Sequence, residues 1–254
     1  LAQVADAVRD FSKAIELMPG NAPPLSGRGL ALLASAKPHA AIRDFSRAVS
    51  ADARFASAYR NRAEARLQVA QRDEAIADLT RAAAFDGNNA EIYVVRGYAY
   101  LADGNTASAI KDFARAIELD GRSWQAFQAR GLANGLAEAF DEAYADFTRA
   151  IELNPKSGTA FAFRAFVYKQ HAQPDIGMKD VETALKLEPD NPFALWARGE
   201  ISEARGQADA AVADLRKALA VRPQWHLASE ALKRLGADVQ VVDGKPLAGL
   251  GVDV

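Results

Sequence analysis

The chain contains no cysteine and only three histidines. The absence of cysteine excludes disulfide frameworks, thiolate metal sites and a cysteine nucleophile. His39, His171 and His226 lie in different parts of the chain, without a histidine or carboxylate partner at metal-ligand spacing. We therefore expect surface or helix-capping roles for them and no metal site. No apolar run approaches the roughly 20 residues that a membrane-spanning helix needs, so we expect no membrane insertion.

The chain also has no large excess of basic or acidic residues. The 254 residues include 31 basic and 33 acidic side chains, which nearly cancel. This balance favours neither nucleic acid nor an anionic membrane surface as a partner. The sequence also lacks G-x-S-x-G, H-E-x-x-H and the phosphate-loop motif, which mark hydrolase, metalloprotease and nucleotide sites. We therefore expect a protein that is not an enzyme, with no catalytic residues and no cofactor.

What the sequence does contain is a strict period of 34 residues, without insertion or deletion. Two registers, four residues apart, show it most clearly. The first holds Ala7, Ala41, Ala75, Ala109, Ala143, Gly177 and Ala211, and the second holds Phe11, Phe45, Leu79, Phe113, Phe147, Val181 and Leu215. Such a period is typical of a solenoid, in which each unit buries its apolar face only by stacking on its neighbours. Function is then expected on an extended surface.

Each repeat is predicted to form two helices. Ala109, Phe113 and Ile117 recur at helical spacing and give the second helix one apolar stripe. The turn before this helix is rich in Asp, Gly and Asn, and Thr106 is predicted to cap the helix. A small residue recurs at one register of the first helix, which indicates a close approach between helices. That register holds Gly29, Ala63, Gly97, Gly131, Ala165 and Gly199.

These registers resemble the tetratricopeptide repeat family. Its pattern of an aromatic, leucine-glycine, an aromatic, alanine, phenylalanine, alanine and proline can be laid on Tyr93, Arg96-Gly97, Tyr100, Ala109, Phe113, Ala116 and Gly121. The resemblance covers about residues 4 to 223, as one half repeat and six complete repeats. It implies an all-α fold, a right-handed α-solenoid superhelix of antiparallel helix pairs. It also implies a concave face, lined by the first helices, that binds peptides.

The domain organisation follows from these boundaries. We predict the repeat array for residues 1–223, a capping helix for 224–235 and a tail for 236–254. Trp225, Ala228, Leu232 and Leu235 form the apolar stripe of the capping helix. The chain begins inside a repeat and without methionine, so we expect further residues upstream of Leu1.

An arginine ladder departs from the family pattern, because arginine stands where leucine is usual. Each arginine has an aspartate 16 residues later, on the second helix of the same repeat. We predict that the two side chains pair across the helices, since an unpaired buried guanidinium would cost several kcal/mol. The alternative is that each aspartate pairs along its own helix with the basic residue three positions later. The predicted pairs are Arg28–Asp44, Arg62–Asp78, Arg96–Asp112, Arg130–Asp146, Arg164–Asp180 and Arg198–Asp214.

The candidate binding residues come from the resemblance. Positions three before, one after and four after the small residue are expected to face the concave groove, and here they are largely apolar in the central repeats. The predicted binding residues are Val94, Tyr98, Leu101, Leu132, Phe166 and Trp196. The alternative is that Tyr98 and Phe166 belong to the core between repeats. Family members that hold acidic chaperone tails use lysines at the first of these registers and asparagines at the second, and this chain has neither there. An extended or helical segment with apolar anchors therefore fits better.

The sequence thus predicts a non-enzymatic protein–protein interaction scaffold that binds a protein or peptide in its groove. Two alternatives remain open. In the first alternative, the array is the recognition module of a longer enzyme whose catalytic domain lies outside this chain. In the second, it is a homo-oligomeric scaffold that self-assembles through the N-terminal half repeat or the C-terminal tail. A soluble protein is expected, and nothing in the sequence distinguishes the cytoplasm from the periplasm.

Overall fold

A computed structural model describes residues 2–238 of the chain, which form helices joined by short turns and contain no β-strand. The helices are α1 (Ala2–Leu17), α2 (Ala22–Ala34), α3 (Pro38–Ala51), α4 (Ala56–Leu67), α5 (Arg72–Phe85), α6 (Ala90–Ala102), α7 (Thr106–Leu119), α8 (Trp124–Leu136), α9 (Phe140–Leu153), α10 (Gly158–Gln170), α11 (Pro174–Leu187), α12 (Pro192–Ala204), α13 (Ala208–Val221) and α14 (His226–Arg234). The predicted fold class, an all-α repeat of paired helices, is confirmed. Most of the predicted tail, from residue 239 onward, lies outside the described residues.

The helices group into two compact units, Leu1–Leu119 and Asp120–Val254, where the sequence predicts one array up to residue 223. In the first unit, α2 packs on α3, α4 on α5 and α6 on α7, while α1 packs on α2 as a half repeat. In the second unit, α8 packs on α9, α10 on α11 and α12 on α13, with α14 against α13. First helices of neighbouring repeats also touch, because α4 contacts α2 and α6, and α10 contacts α8 and α12. Each unit therefore presents its first helices as one layer.

The recurring small residue admits a large side chain from the paired helix. A Cβ atom added to Gly97 would lie 2.5 Å from the ring of Phe113, and one added to Gly29 would lie 2.5 Å from the ring of Phe45. Both phenylalanine rings are fully buried. The expected close approach of the helices is confirmed, and it explains why this register holds only glycine and alanine.

The turn between the two helices of each repeat has a constant geometry. One residue of the turn adopts the left-handed conformation, such as Ala70 at φ 59° and Gly104 at φ 77°. The next N–H then donates back to the last turn of the first helix, and the Gln71 N–H reaches the Arg66 carbonyl oxygen at 2.9 Å. This 6→1 hydrogen bond is the Schellman motif that ends helices.

The helix that follows this turn is capped differently from the prediction. The side-chain oxygen of Asn105 accepts a hydrogen bond from the Ser108 N–H at 3.1 Å. The prediction of Thr106 as the cap is therefore wrong by one residue. Thr106 is already the first residue of α7, whereas an N-cap residue lies just outside the helix.

The arginine ladder pairs across the helices as predicted, and each guanidinium donates two hydrogen bonds of 2.6 to 2.9 Å to its aspartate. The pairs are Arg28–Asp44, Arg62–Asp78, Arg96–Asp112, Arg130–Asp146, Arg164–Asp180 and Arg198–Asp214. Within residues 2–238, none of these aspartates pairs with the basic residue three positions later, so the alternative pairing along one helix is wrong.

Four of these six guanidinium groups also reach a third helix, a contact that the sequence analysis missed. Arg62 also donates to the Ser46 hydroxyl at 3.2 Å, and Arg96 donates to the Thr80 hydroxyl at 3.3 Å. Each hydroxyl lies on the second helix of the preceding repeat. One arginine thus joins both helices of its own repeat to the repeat before it.

The capping helix also forms, as α14 (His226–Arg234). Trp225, Ala228 and Leu232 are buried against the second unit, and Gly236 follows at φ 67°. The residue of α14 in the arginine register is Leu232, and its aspartate register, Ala248, lies outside the described part of the chain.

Candidate functional site

Three of the predicted binding residues lie together on α6 in the first unit. Val94 and Tyr98 are half-buried, and Leu101 is only 9% exposed. The Tyr98 ring packs edge-on against Phe113, with 5.2 Å between the ring centroids. Burial raises the pKa of Tyr98 to about 12, so its hydroxyl stays protonated at neutral pH. The α6 surface is therefore apolar with one neutral hydroxyl.

The first helix of the preceding repeat, α4, contributes charged side chains to the same layer. Arg60 pairs with the Glu91 carboxylate and donates to the Asn61 side-chain oxygen at 3.2 Å. Its Nε atom forms an ion pair with the Glu64 carboxylate at 3.8 Å, beyond hydrogen-bond range, and has no hydrogen-bond partner among the described residues. Burial raises the pKa of the Glu64 carboxyl, and the attraction of Arg60 only partly offsets this effect. Glu64 is thus a half-buried carboxylate with a weak partner.

The other three predicted residues lie in the second unit, on three different helices. Leu132 on α8 and Phe166 on α10 are half-buried, whereas Trp196 on α12 is only 5% exposed. The Phe166 ring lies 4.7 Å from the Trp196 ring, and Trp196 lies 5.7 Å from Trp225. Trp225, just before the capping helix, shares the core that encloses Trp196, whose indole N–H has no hydrogen-bond partner among residues 2–238. Trp196 therefore supports Phe166 from within the core.

A charged cluster missed by the sequence analysis lies next to this aromatic stack. The Glu200 carboxylate accepts hydrogen bonds from Lys169 at 3.1 Å and from Arg234 at 2.7 Å. Arg234 also donates to Glu203 at 2.7 Å, and the hydrogen bonds to Glu203 and Glu200 raise its pKa. The four side chains line a shallow depression in the second unit. The repeat contained the signal for this cluster, because Arg234 occupies the register of Glu200 one repeat later.

Gly135 differs from the glycines that admit a phenylalanine ring. A Cβ atom added to Gly135 would meet nothing within 4 Å, and its φ is not positive. It occupies the groove register that holds Leu101 and Lys169 in other repeats. Neither packing nor backbone conformation requires glycine here, and its effect is to leave open space on the α8 surface near Leu132.

Two histidines of the described residues each have one carboxylate nearby. His171 lies 3.8 Å from Asp141 and His226 lies 3.1 Å from Glu230, as isolated pairs at the surface. The described residues contain no group of three His, Cys, Asp or Glu side chains arranged to hold a metal ion. Among the helices of residues 2–238, none has the length and apolar character needed to cross a bilayer.

Comparisons with known proteins agree with this architecture. Two family models described as tetratricopeptide repeat match residues 90–122 and 167–225. Among solved structures, a tetratricopeptide repeat protein from Parabacteroides merdae has a TM-score of 0.76 at 20% identity, over 92% of this chain and 93% of that chain. No curated protein sequence matches the chain significantly.

Two further solved structures share the fold. A chain of the APC/C hetero-tetramer Cut9-Hcn1 has a TM-score of 0.75 at 20% identity, over 91% of this chain and 46% of that chain, so this chain spans less than half of it. YrrB, a TPR protein with an unusual peptide-binding site, has a TM-score of 0.62 at 22% identity, over 74% of this chain and 97% of that chain. The chain therefore contains tetratricopeptide repeats at residues 90–122 and 167–225, and it shares the fold of the solved repeat proteins.

Proposed function

We propose that this chain is a non-enzymatic scaffold that binds a segment of another protein through apolar anchors on its first helices. The observation that carries the proposal is the set of half-buried apolar side chains at the groove registers. Tyr98 supplies one in the first unit, and Leu132 and Phe166 supply two in the second. Leu30 stands in the same register on α2 and is 46% exposed. A layer of helices with such side chains suits an extended or helical ligand.

The packing beneath these anchors supports their role in binding. Tyr98 is held by Phe113, and Phe166 is held by Trp196, which itself packs against Trp225. Large side chains fixed in this way offer contact area with little conformational entropy left to lose on binding. In this proposal Val94 flanks Tyr98, while Leu101 and Trp196 support the surface from the buried side.

The charge pattern argues against capture of an acidic tail. In the first unit the groove registers of α4 hold Arg60 and Glu64, and Arg60 is already paired with Glu91. In the second unit Lys169 is neutralised by Glu200. The surface at the groove registers is therefore largely apolar, and its basic side chains are already paired with carboxylates of this chain. YrrB, whose fold this chain shares, is a TPR protein with an unusual peptide-binding site, which lends support to peptide binding through this type of scaffold.

Selection from a random-peptide display library tests this function, with the purified chain as bait. Selected peptides are expected to share apolar side chains. Tyr98→Ala in the first unit, or Phe166→Ala in the second, should weaken binding of those peptides about tenfold or more, as measured by fluorescence anisotropy, because hot-spot aromatic residues cost at least that when truncated.

Control variants remove exposed aromatic rings from second helices. Phe85→Ala in the first unit and Tyr144→Ala in the second remove side chains that are 41% and 38% exposed, and neither change should alter peptide affinity. Circular dichroism verifies that each variant is folded. If the controls weaken binding as much as the first-helix variants, or if no peptide is enriched, the proposal is wrong.

A further inference from the structure

Glu64 is an unusual side chain in the first-helix layer of the first unit. It follows Ala63, which is fully buried, and occupies the register that holds Leu30 on α2 and Tyr98 on α6. Leu67 follows one helical turn later. Leucine and tyrosine thus occupy this register on the flanking first helices, and partial burial removes part of the hydration of the Glu64 carboxylate.

The protein itself does little to compensate this carboxylate. Among residues 2–238, no group donates a hydrogen bond to it, and its ion-pair partner is the Arg60 Nε atom at 3.8 Å. The two terminal nitrogens of Arg60 point to other acceptors, the Glu91 carboxylate and the Asn61 side chain. The raised pKa of Glu64 has the same origin, because burial outweighs the attraction of Arg60.

The second unit contains a glutamate in the same register, Glu200, whose carboxylate is paired with basic side chains. Glu200 lies four repeats after Glu64, and its side chain is 8% exposed against 36% for Glu64. Lys169 donates to it at 3.1 Å and Arg234 donates at 2.7 Å. A glutamate at this register is therefore satisfied by two cations, one from the repeat before it and one from the repeat after it.

Both of those cations are missing around Glu64. The register of Lys169 is occupied in the first unit by Leu33, and the register of Arg234 is occupied by Tyr98. The glutamate of this register therefore occurs in both units, but the two basic residues that pair with it occur only in the second unit. Leu33 is half-buried and Tyr98 keeps a protonated hydroxyl, so neither side chain neutralises the charge.

Resting on the proposed function, we propose that Glu64 receives a lysine or arginine side chain of the bound protein segment, which takes the place that Lys169 and Arg234 take beside Glu200. The aliphatic stem of that side chain would lie on Leu33, Leu67 and Tyr98, and its charged head would donate to the Glu64 carboxylate. A stem on apolar surface with its charge on a carboxylate is the common way in which long basic side chains bind. The first unit therefore selects segments in which one basic residue is flanked by apolar ones.

Peptides from the display selection serve as the probe. Peptides selected by the full chain are expected to carry a lysine or arginine beside apolar residues. Each is then synthesised with the basic residue or with norleucine in its place, which removes the charge and keeps the stem. Against the unmodified chain the norleucine peptide should bind about tenfold more weakly, because it loses a charge-assisted hydrogen bond.

Variants of the chain test whether the weaker binding of the norleucine peptide originates at Glu64. With Glu64→Gln, the two peptides should bind within about twofold of each other, since the coupling between the partners is removed. Leu33→Lys should have a similar effect, because it supplies the internal cation that Lys169 supplies in the second unit. Glu74→Gln removes an exposed carboxylate from α5 of the same unit and should leave the tenfold difference intact.

The outcomes separate this inference from the function on which it rests. Selected peptides that share apolar residues without a basic one would overturn the role of Glu64 and leave the scaffold function standing. An unchanged norleucine effect in Glu64→Gln would do the same. If no peptide is enriched, both proposals are wrong.

Discussion

Arg62 donates two hydrogen bonds of 2.7 Å to Asp78, across the two helices of one repeat, and both side chains are buried. Arg66 pairs with the same carboxylate. Arg62 stands at the register where the tetratricopeptide pattern has leucine, and it makes a polar contact between the helices. Since a buried charge is tolerated only with its partner, the two residues are coupled.

The first prediction concerns this pair. Asp78→Ala should lower the free energy of unfolding by about 3 to 5 kcal/mol, because it leaves the Arg62 guanidinium buried without a carboxylate. The double variant Arg62→Leu/Asp78→Ala should recover much of the loss. Urea unfolding monitored by circular dichroism measures both, and Asp73→Ala, at an exposed position on α5, is the matched control. A double variant less stable than Asp78→Ala would contradict the coupling.

The second prediction contrasts two helical glycines. Gly97→Ala should destabilise the first unit by about 1 to 3 kcal/mol, the usual cost of overpacking, because its Cβ atom would lie 2.5 Å from the Phe113 ring. Gly135→Ala should be neutral or stabilising by up to about 1 kcal/mol, since its Cβ atom meets nothing and alanine favours the helix. Thermal unfolding of the two variants makes the comparison. Equal losses would contradict the distinction between a packed and an open glycine.

The third prediction concerns the turn within each repeat. Ala70 and Ala172 hold positive φ values of 59° and 55°, where the repeat-equivalent Gly206 has 72°. Ala70→Gly should stabilise the chain by about 1 kcal/mol, because glycine adopts this conformation without steric cost. Gly206→Ala should have the opposite sign. The denaturant midpoints of both variants are compared with that of the unmodified chain. A loss of stability in Ala70→Gly would show that the turn is not strained.

The fourth prediction is a pH dependence that originates at Glu64. The pKa of its carboxyl is raised in the folded chain, so the folded state binds the proton more tightly than the unfolded state. The ionised form therefore lowers stability above the folded pKa, and this penalty disappears as the pH falls below the unfolded value of about 4.3. Glu64→Gln should be more stable than the unmodified chain at pH ~7, with the difference shrinking on acidification to about pH 4.

Two measurements check this dependence. Urea unfolding at both pH values gives the stability difference between Glu64→Gln and the unmodified chain. NMR titration of labelled glutamate side chains gives the Glu64 pKa directly. A constant difference in stability across this range, or a Glu64 carboxyl that titrates below the other glutamates, would refute the assignment.

The repeat period made most of the fold predictable from the sequence. A side chain that recurs every 34 residues meets equivalent neighbours each time, so the close approach of the helices at Gly97 and the Arg62–Asp78 pair could be predicted. The hydroxyl partners of the ladder were harder to see, because serine and threonine alternate with other residues at that register. Ser46 accepts from Arg62, whereas the same register holds Ala114 in a later repeat.

The candidate site was less predictable, because it depends on departures from the repeat. Trp196 fits a groove register, but Trp225 at the end of the array shares its core and leaves it 5% exposed. Arg234 lies against Glu200, a contact that the sequence analysis did not predict. Both features arise at the end of the array, where the last repeat packs against a capping helix and no longer against another copy of the unit.

The guanidinium contacts of the ladder have a consequence for the length of the protein. Arg96 is linked to Thr80 behind it and to Asp112 ahead of it, and Arg62 is linked in the same way to Ser46 and Asp78. Excision of one 34-residue stretch between equivalent positions would join a serine of one copy to the arginine of the next and restore the same three-helix connection. Where both contacts are present, loss of one copy is thus expected to leave the remaining neighbours joined by the same hydrogen bonds.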